Sequence, residues 1–111
     1  MSLDRGLELI RAGEYFAAHE ELEDAWRSAP APERDFFQGL VHVAVAWYHA
    51  ETTGRNVACE RQLAKAERRL RPFAPEHRGL DVGAVLALVR DARGRFPELP
   101  RPRLPRTPAR G

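Results

Sequence analysis

The chain has 111 residues, of which 43% are hydrophobic and 31% charged, and this composition suits one globular domain. Its single cysteine, Cys59, excludes an intrachain disulfide, and its longest apolar stretch, residues 40–48, is too short to span a bilayer. The N-terminus is charged and lacks the apolar run of a signal peptide, so we expect a cytoplasmic protein without membrane association. Charge is unevenly spread: residues 1–53 carry a net −6, residues 54–96 a net +5 and residues 97–111 a net +3.

The first half of the chain shows helical spacing of apolar residues. Leu3–Ile10 predicts a first helix, which Gly13 should end in the left-handed conformation. A second helix should run from about residue 14 to residue 28, where the prolines of "SAPAP" stop it. A third helix should run from Pro32 to about Thr52. It is apolar on nearly all sides, so we expect it at the centre of the fold.

The second half predicts two more helices and no strands. A fourth helix should begin at an Asn56 cap and end before Pro72. Asp81 should cap a fifth helix. The fourth helix should bury a narrow seam of Cys59, Leu63, Ala66 and Leu70 and expose a basic face of Arg61, Lys65, Arg68 and Arg69.

We therefore predict a compact all-α bundle of four to five helices over residues 1–96, with antiparallel central helices. Residues 97–111, "PELPRPRLPRTPARG", hold five prolines and four arginines and should form an extended or disordered tail. The tail contains P-x-x-P spacings typical of polyproline ligands, but we interpret it as solvated.

The stretch "HEELEDAW", residues 19–26, resembles the start of a zinc-protease motif. That motif needs a second histidine where Glu23 stands. On a helix, His19, Glu23 and Trp26 border the apolar face, whereas Glu20 lies on its flank.

Polar residues also recur on the third helix, which a short loop should pack antiparallel to the second. We expect three pairings across the two helices: His19 opposite Val41 or His42, Glu23 opposite Phe37 or Gln38, and Trp26 opposite Arg34. The sequence thus predicts a half-buried polar cluster with an ion pair between Glu23 and Arg34. Its members are His19, Glu20, Glu23, Trp26, Arg34 and Gln38.

Several segments in chain order resemble the bacterial and archaeal family named domain of unknown function 309. They are "AGEYFAAHEELEDAWR", "RDFFQGLVHVAVAWYH", "GRNVACERQLAKAERRL" and "GLDV". The resemblance covers roughly residues 12–90 and implies a small all-helical bundle. It implies no established activity.

The residues leave three interpretations of the cluster open. It can be a structural network that orders helix packing in a protein-interaction module. We favour this interpretation, under which the protein is not an enzyme. It can line the pocket of a small-molecule-binding protein or hydrolase. It can also hold a divalent metal through His19, Glu23 and His42. We expect no cofactor, a homo-oligomer or other protein partner, and no nucleic-acid partner.

Overall fold

A computed structural model describes residues 2–52 and 56–93 of the chain. Within these ranges the predicted all-α bundle is confirmed. Its elements in chain order are α1 (Ser2–Arg11), α2 (Tyr15–Ser28), α3 (Ala31–Thr52), α4 (Asn56–Leu70), a 3-10 helix (Arg71–Phe73), β1 (Glu76–His77), β2 (Leu80–Asp81) and α5 (Val82–Arg93). None of the described helices is both long enough and apolar enough to cross a membrane.

The ends of the helices follow from local sequence. Gly13 adopts a φ of 82°, its amide donates to the Ile10 carbonyl, and the Glu14 amide donates to the Leu9 carbonyl. This pair of bonds is a Schellman motif, which closes α1 as predicted. At the other end of the chain, the carboxylate of Asp81 accepts a hydrogen bond from the Ala84 amide at 2.9 Å, so the predicted cap of α5 is also confirmed.

A small hairpin before α5 was not predicted. Glu76 pairs with Asp81 and His77 with Leu80, and the two-residue turn between the strands has φ values of 50° at Arg78 and 77° at Gly79. Positive φ at both turn residues is the geometry of a type I′ hairpin. Strands of two residues are too short to show an alternating pattern in the sequence, which explains why they were missed.

The central position predicted for α3 is confirmed. Nine of its residues are buried, and α2 and α4 pack against it. Helix α4 approaches closely at Gly39, where an added Cβ would lie 2.6 Å from Leu70 Cγ. The predicted seam of α4 is fully buried: Cys59, Leu63, Ala66 and Leu70 are each 0% exposed.

Two sequence predictions lie outside what the structure describes. The side chain of Asn56, the predicted cap of α4, is one of them. The other is the predicted tail, residues 97–111, together with the domain boundary placed before it.

Candidate functional site

The predicted cluster is only partly assembled, and its α2 members interact along their own helix. His19 Nδ1 donates to the Phe16 carbonyl at 3.0 Å, and His19 Nε2 lies 3.5 Å from Glu23 Oε2. The same Glu23 oxygen lies 3.8 Å from Arg27 Nη2. The Glu23 side chain is 36% exposed, and Glu20 is exposed as well. These groups form the solvated edge of α2.

The predicted ion pair between Glu23 and Arg34 is wrong. Arg34 is exposed in the first turn of α3, and its Nε donates to the Ala29 carbonyl at 3.2 Å. The guanidinium therefore covers the end of α2 and does not reach Glu23. Trp26 and Gln38 are half-buried, and Trp26 packs against the hydrophobic core.

The register of the two helices explains this correction. Phe16 contacts Tyr48, with ring centroids 5.6 Å apart, and His19 lies beside Val45 and His49. His19 was predicted to face Val41 or His42. The helices are antiparallel, as predicted, but the residues opposite His19 lie about one helical turn further along α3.

His42 belongs to a different face of α3. Its Nδ1 lies 2.7 Å from Gln62 Oε1 on α4, and burial lowers the pKa of the imidazole. Although the two side chains are only about 60° apart around the helix, His42 contacts α4, whereas Val45 lines the groove beside α2. The alternative metal set of His19, Glu23 and His42 is therefore not brought together. Within residues 2–52 and 56–93, no group of three or more His, Cys, Asp or Glu side chains is arranged to hold a metal.

An aromatic groove between α2 and α3 was not predicted. It encloses about 180 Å³, and its lining is almost entirely apolar. Phe16 is 53% exposed at its edge, and its ring centroid lies 5.1 Å from that of His19. The groove is lined by Tyr15, Phe16, His19, Val45, Tyr48 and His49.

The sequence contains only a weak signal for this groove. Tyr15 and Phe16 are adjacent, so their side chains point about 100° apart around α2. Tyr15 is buried, whereas Phe16 lies at the surface. Of the predicted cluster, only His19 lines the groove, whereas Glu20 and Glu23 follow Phe16 along the same side of α2.

A second polar group joins the start of α3 to the hairpin. Glu33 Oε1 accepts hydrogen bonds from Arg78 Nε at 2.6 Å and from His77 Nε2 at 2.8 Å. These two donors, Arg78 foremost, lower the pKa of Glu33. The His77 ring packs against Phe36, with ring centroids 4.6 Å apart. The group fixes the hairpin on the bundle, and we assign it a structural role.

Part of the basic surface is neutralised within the molecule. Arg69 Nη1 donates to Asp35 at 2.7 Å, so one member of the predicted basic face of α4 is paired with α3. Arg93 bridges Glu60 and Glu67, at 2.7 Å and 3.0 Å, and thereby ties α5 to α4. These pairs reduce the positive charge that the α4–α5 side could offer to a phosphate.

Comparison with known proteins identifies the family of the chain. A sequence model of DUF309, a domain of unknown function, matches residues 3–60. The chain belongs to the DUF309 family. The matched residues include α2, α3 and all of α1 except Ser2, and so both sides of the aromatic groove.

A curated protein of similar sequence is the uncharacterized protein YpuF of Bacillus subtilis strain 168. It is 34% identical over 93 residues, which cover 78% of this chain and 51% of YpuF. The present chain therefore spans about half the length of this relative. Neither comparison carries an activity.

Proposed function

We propose that this DUF309 protein is a protein-interaction module and that it binds its partner in the aromatic groove between α2 and α3. The observation that carries the proposal is the exposure of Phe16, which is 53% accessible beside an apolar groove. Tyr48 packs against the inner side of its ring. Large aromatic side chains held at the surface over an apolar recess are typical of interface anchors.

The size and chemistry of the groove favour a protein partner over a small-molecule substrate. Pockets for drug-sized ligands enclose roughly 300–1,000 Å³. A volume of about 180 Å³ instead suits one or two side chains of a partner. The carboxylates of Glu20 and Glu23 lie outside the apolar floor, where they can meet basic groups at the rim of an interface.

The proposal also assigns the protein to the cytoplasm. Its single cysteine, Cys59, is buried and free, and needs no oxidising compartment.

A photo-crosslinking side chain at position 16 tests the proposal. p-Benzoylphenylalanine in place of Phe16 retains an aromatic ring in the groove and should form a specific adduct with another protein in the cells that naturally produce the chain. The matched control carries the same side chain in place of Val57. Val57 is 68% exposed but lies on α4, away from the groove, and should give no such adduct.

The captured protein, once purified, then allows the contact to be measured. Truncation of an aromatic anchor costs about 2 kcal/mol or more, roughly thirty-fold in affinity. Phe16→Ala should weaken binding by this factor, whereas Val57→Ala should leave affinity nearly unchanged. Equal weakening by both variants, or equal adducts from both positions, would show that the groove is not the binding surface.

A further inference from the structure

We propose that the occupant of the groove is the chain's own Pro/Arg-rich segment, residues 97–111, bound within the same molecule. The inference rests on the proposed function and names the segment that binds there. It revises the interpretation of this segment as a solvated tail. The spacing of its prolines, its charge and its reach from α5 each support it.

The spacing of the prolines suits an aromatic groove. A polyproline helix has three residues per turn, so Pro102, Pro105 and Pro108 would share one edge of it. Such an edge is what aromatic-lined grooves of peptide-binding domains receive, because the chain is already extended and loses little entropy on binding. A recess of about 180 Å³ beside Phe16 and Tyr48 has room for one proline ring.

Charge favours the same pairing. Helix α2 carries four acidic residues and Arg27 as its single basic one. Residues 97–111 carry four arginines and one acidic residue, Glu98. Arg103 and Arg106 are also three residues apart, so in a polyproline helix they would follow the edge beside the prolines. On binding they would lie along the rim that Glu20 and Glu23 form.

The segment can reach the groove from the end of α5. Arg93, the last described residue, lies 2.7 Å from Glu60 near the start of α4. The adjacent Cys59 donates from Sγ to the Ala46 carbonyl of α3 at 3.1 Å, and Ala46 is next to Val45 in the groove.

Helix α5 therefore ends at the same end of the bundle as the groove. The end of α5 and the groove are separated by the width of α4 and α3. Packed helices lie about 8–10 Å apart, so this separation is on the order of 20 Å. A linker as long as residues 94–101, eight residues, could span about 25 Å at roughly 3.1 Å per residue, which exceeds this separation.

An internal ligand would regulate the site. A segment tethered through a short linker has an effective concentration on the order of millimolar. An external partner would therefore have to displace residues 97–111 before it could contact Phe16. The segment would act as a competitor built into the chain.

Paramagnetic relaxation in the full chain tests this inference. A nitroxide spin label is attached to Ala109→Cys, and the native thiol does not interfere because Cys59 is buried and its pKa is raised to about 12. The label should broaden the backbone amide signals of Phe16 and Tyr48, while those of Arg61 and Lys65 on the outer face of α4 keep their intensity. Broadening at the groove should be lost in Phe16→Ala and retained in Val57→Ala.

Two further samples decide between the alternatives. Replacing Pro102, Pro105 and Pro108 together by Ala should abolish the selective broadening, since it removes the proposed edge. Mixing an isotope-labelled chain without the nitroxide with an unlabelled chain that carries it should give no broadening. Broadening in the mixture would mean that the segment of a second copy binds, which overturns the intramolecular assignment. Uniform broadening, or none, overturns it as well.

The result is separable from that of the proposed function. An adduct between position 16 and another protein needs no docking of residues 97–111. If that adduct forms while the spin label leaves the groove signals unchanged, the proposed function stands and this inference fails. If neither occurs, both fail.

Discussion

The contact between Gly39 and Leu70 gives a sharp test of how α3 and α4 pack. A Cβ added at Gly39 would lie 2.6 Å from Leu70 Cγ and 2.7 Å from Leu70 Cδ2. Carbon atoms in contact are normally about 3.5–4.0 Å apart, so Leu70 would have to shift by roughly 1 Å. Leu70 is fully buried in the α4 seam and has little room to move.

The magnitude follows from two opposing terms. Overpacking a buried site costs roughly 1–3 kcal/mol. Replacing glycine by alanine inside a helix recovers up to about 1 kcal/mol. Gly39→Ala should therefore lower the free energy of unfolding by about 1 kcal/mol, as measured by urea denaturation. Gly83→Ala is the matched control, because its Cβ would meet only ordinary neighbours, the nearest at 3.5 Å, and should leave stability equal or slightly higher.

A double mutant identifies the cause. Leu70→Ala removes the obstructing atoms and should cost roughly 2–5 kcal/mol through the cavity it leaves. In that background Gly39→Ala should be neutral or stabilising, since its methyl group fills part of the space. The reasoning is refuted if Gly39→Ala costs the same with and without Leu70, or if it stabilises the wild type as Gly83→Ala does.

Three further predictions concern polar groups. Glu33→Gln should destabilise by roughly 1–3 kcal/mol at pH 7, because the hydrogen bonds to Arg78 and His77 are to a charged carboxylate. Since those bonds lower the pKa of Glu33 below its ordinary 4.5, this contribution is present above pH 4.5 and is lost as the pH falls through the lower folded value. Urea denaturation of wild type and variant should therefore differ less at pH 3 than at pH 7, and an equal difference at both would contradict the assignment. Glu23→Ala should cost less than about 1 kcal/mol in the same assay, because its two ion pairs are partly exposed; a loss of several kcal/mol would restore a buried role. Cys59 should resist alkylation in the native protein and react only in urea, as followed by mass spectrometry, because burial raises the pKa of its thiol to about 12. Rapid native labelling would show that the α4 seam opens.

The helices could be predicted because their ends are local. Gly13 supplies the left-handed residue of a Schellman motif, and Asp81 supplies a cap three residues before the amide it binds. Pro30 and Pro32 lie just after α2 and cannot continue its hydrogen-bond ladder, so the helix ends at Ser28. Each of these signals acts over a few residues, so no knowledge of tertiary packing was needed.

The pairing of α2 with α3 was harder, because its register depends on how the connection folds. Helix α3 begins at Ala31, and its first turn carries Arg34 back to the Ala29 carbonyl. That turn therefore lies over the end of α2, and the residues that oppose His19 come about one helical turn later than the pairing predicted from the sequence. The ion pair assigned to Glu23 failed for this reason.

Contacts between residues far apart in the sequence leave no local pattern from which they could be predicted. Glu33 and His77 are 44 residues apart, and the hairpin that brings them together has strands of only two residues. The groove likewise needs α2 and α3 in their final register before Phe16 meets Tyr48. Neither arrangement is encoded in the spacing of any one helix.

The stretch "HEELEDAW" can now be interpreted by position. Its imidazole, His19, reaches the apolar groove, while its carboxylates Glu20 and Glu23 lie outside along the same side of α2. A metalloprotease motif directs two histidines and a glutamate to one metal, whereas here Glu23 stands in place of the second histidine and Glu20 is exposed at the rim. An apolar recess with an acidic border is suited to an apolar group flanked by cations, such as a proline followed by an arginine. The same residues that depart from the metalloprotease pattern therefore supply the two kinds of contact that the proposed ligand requires.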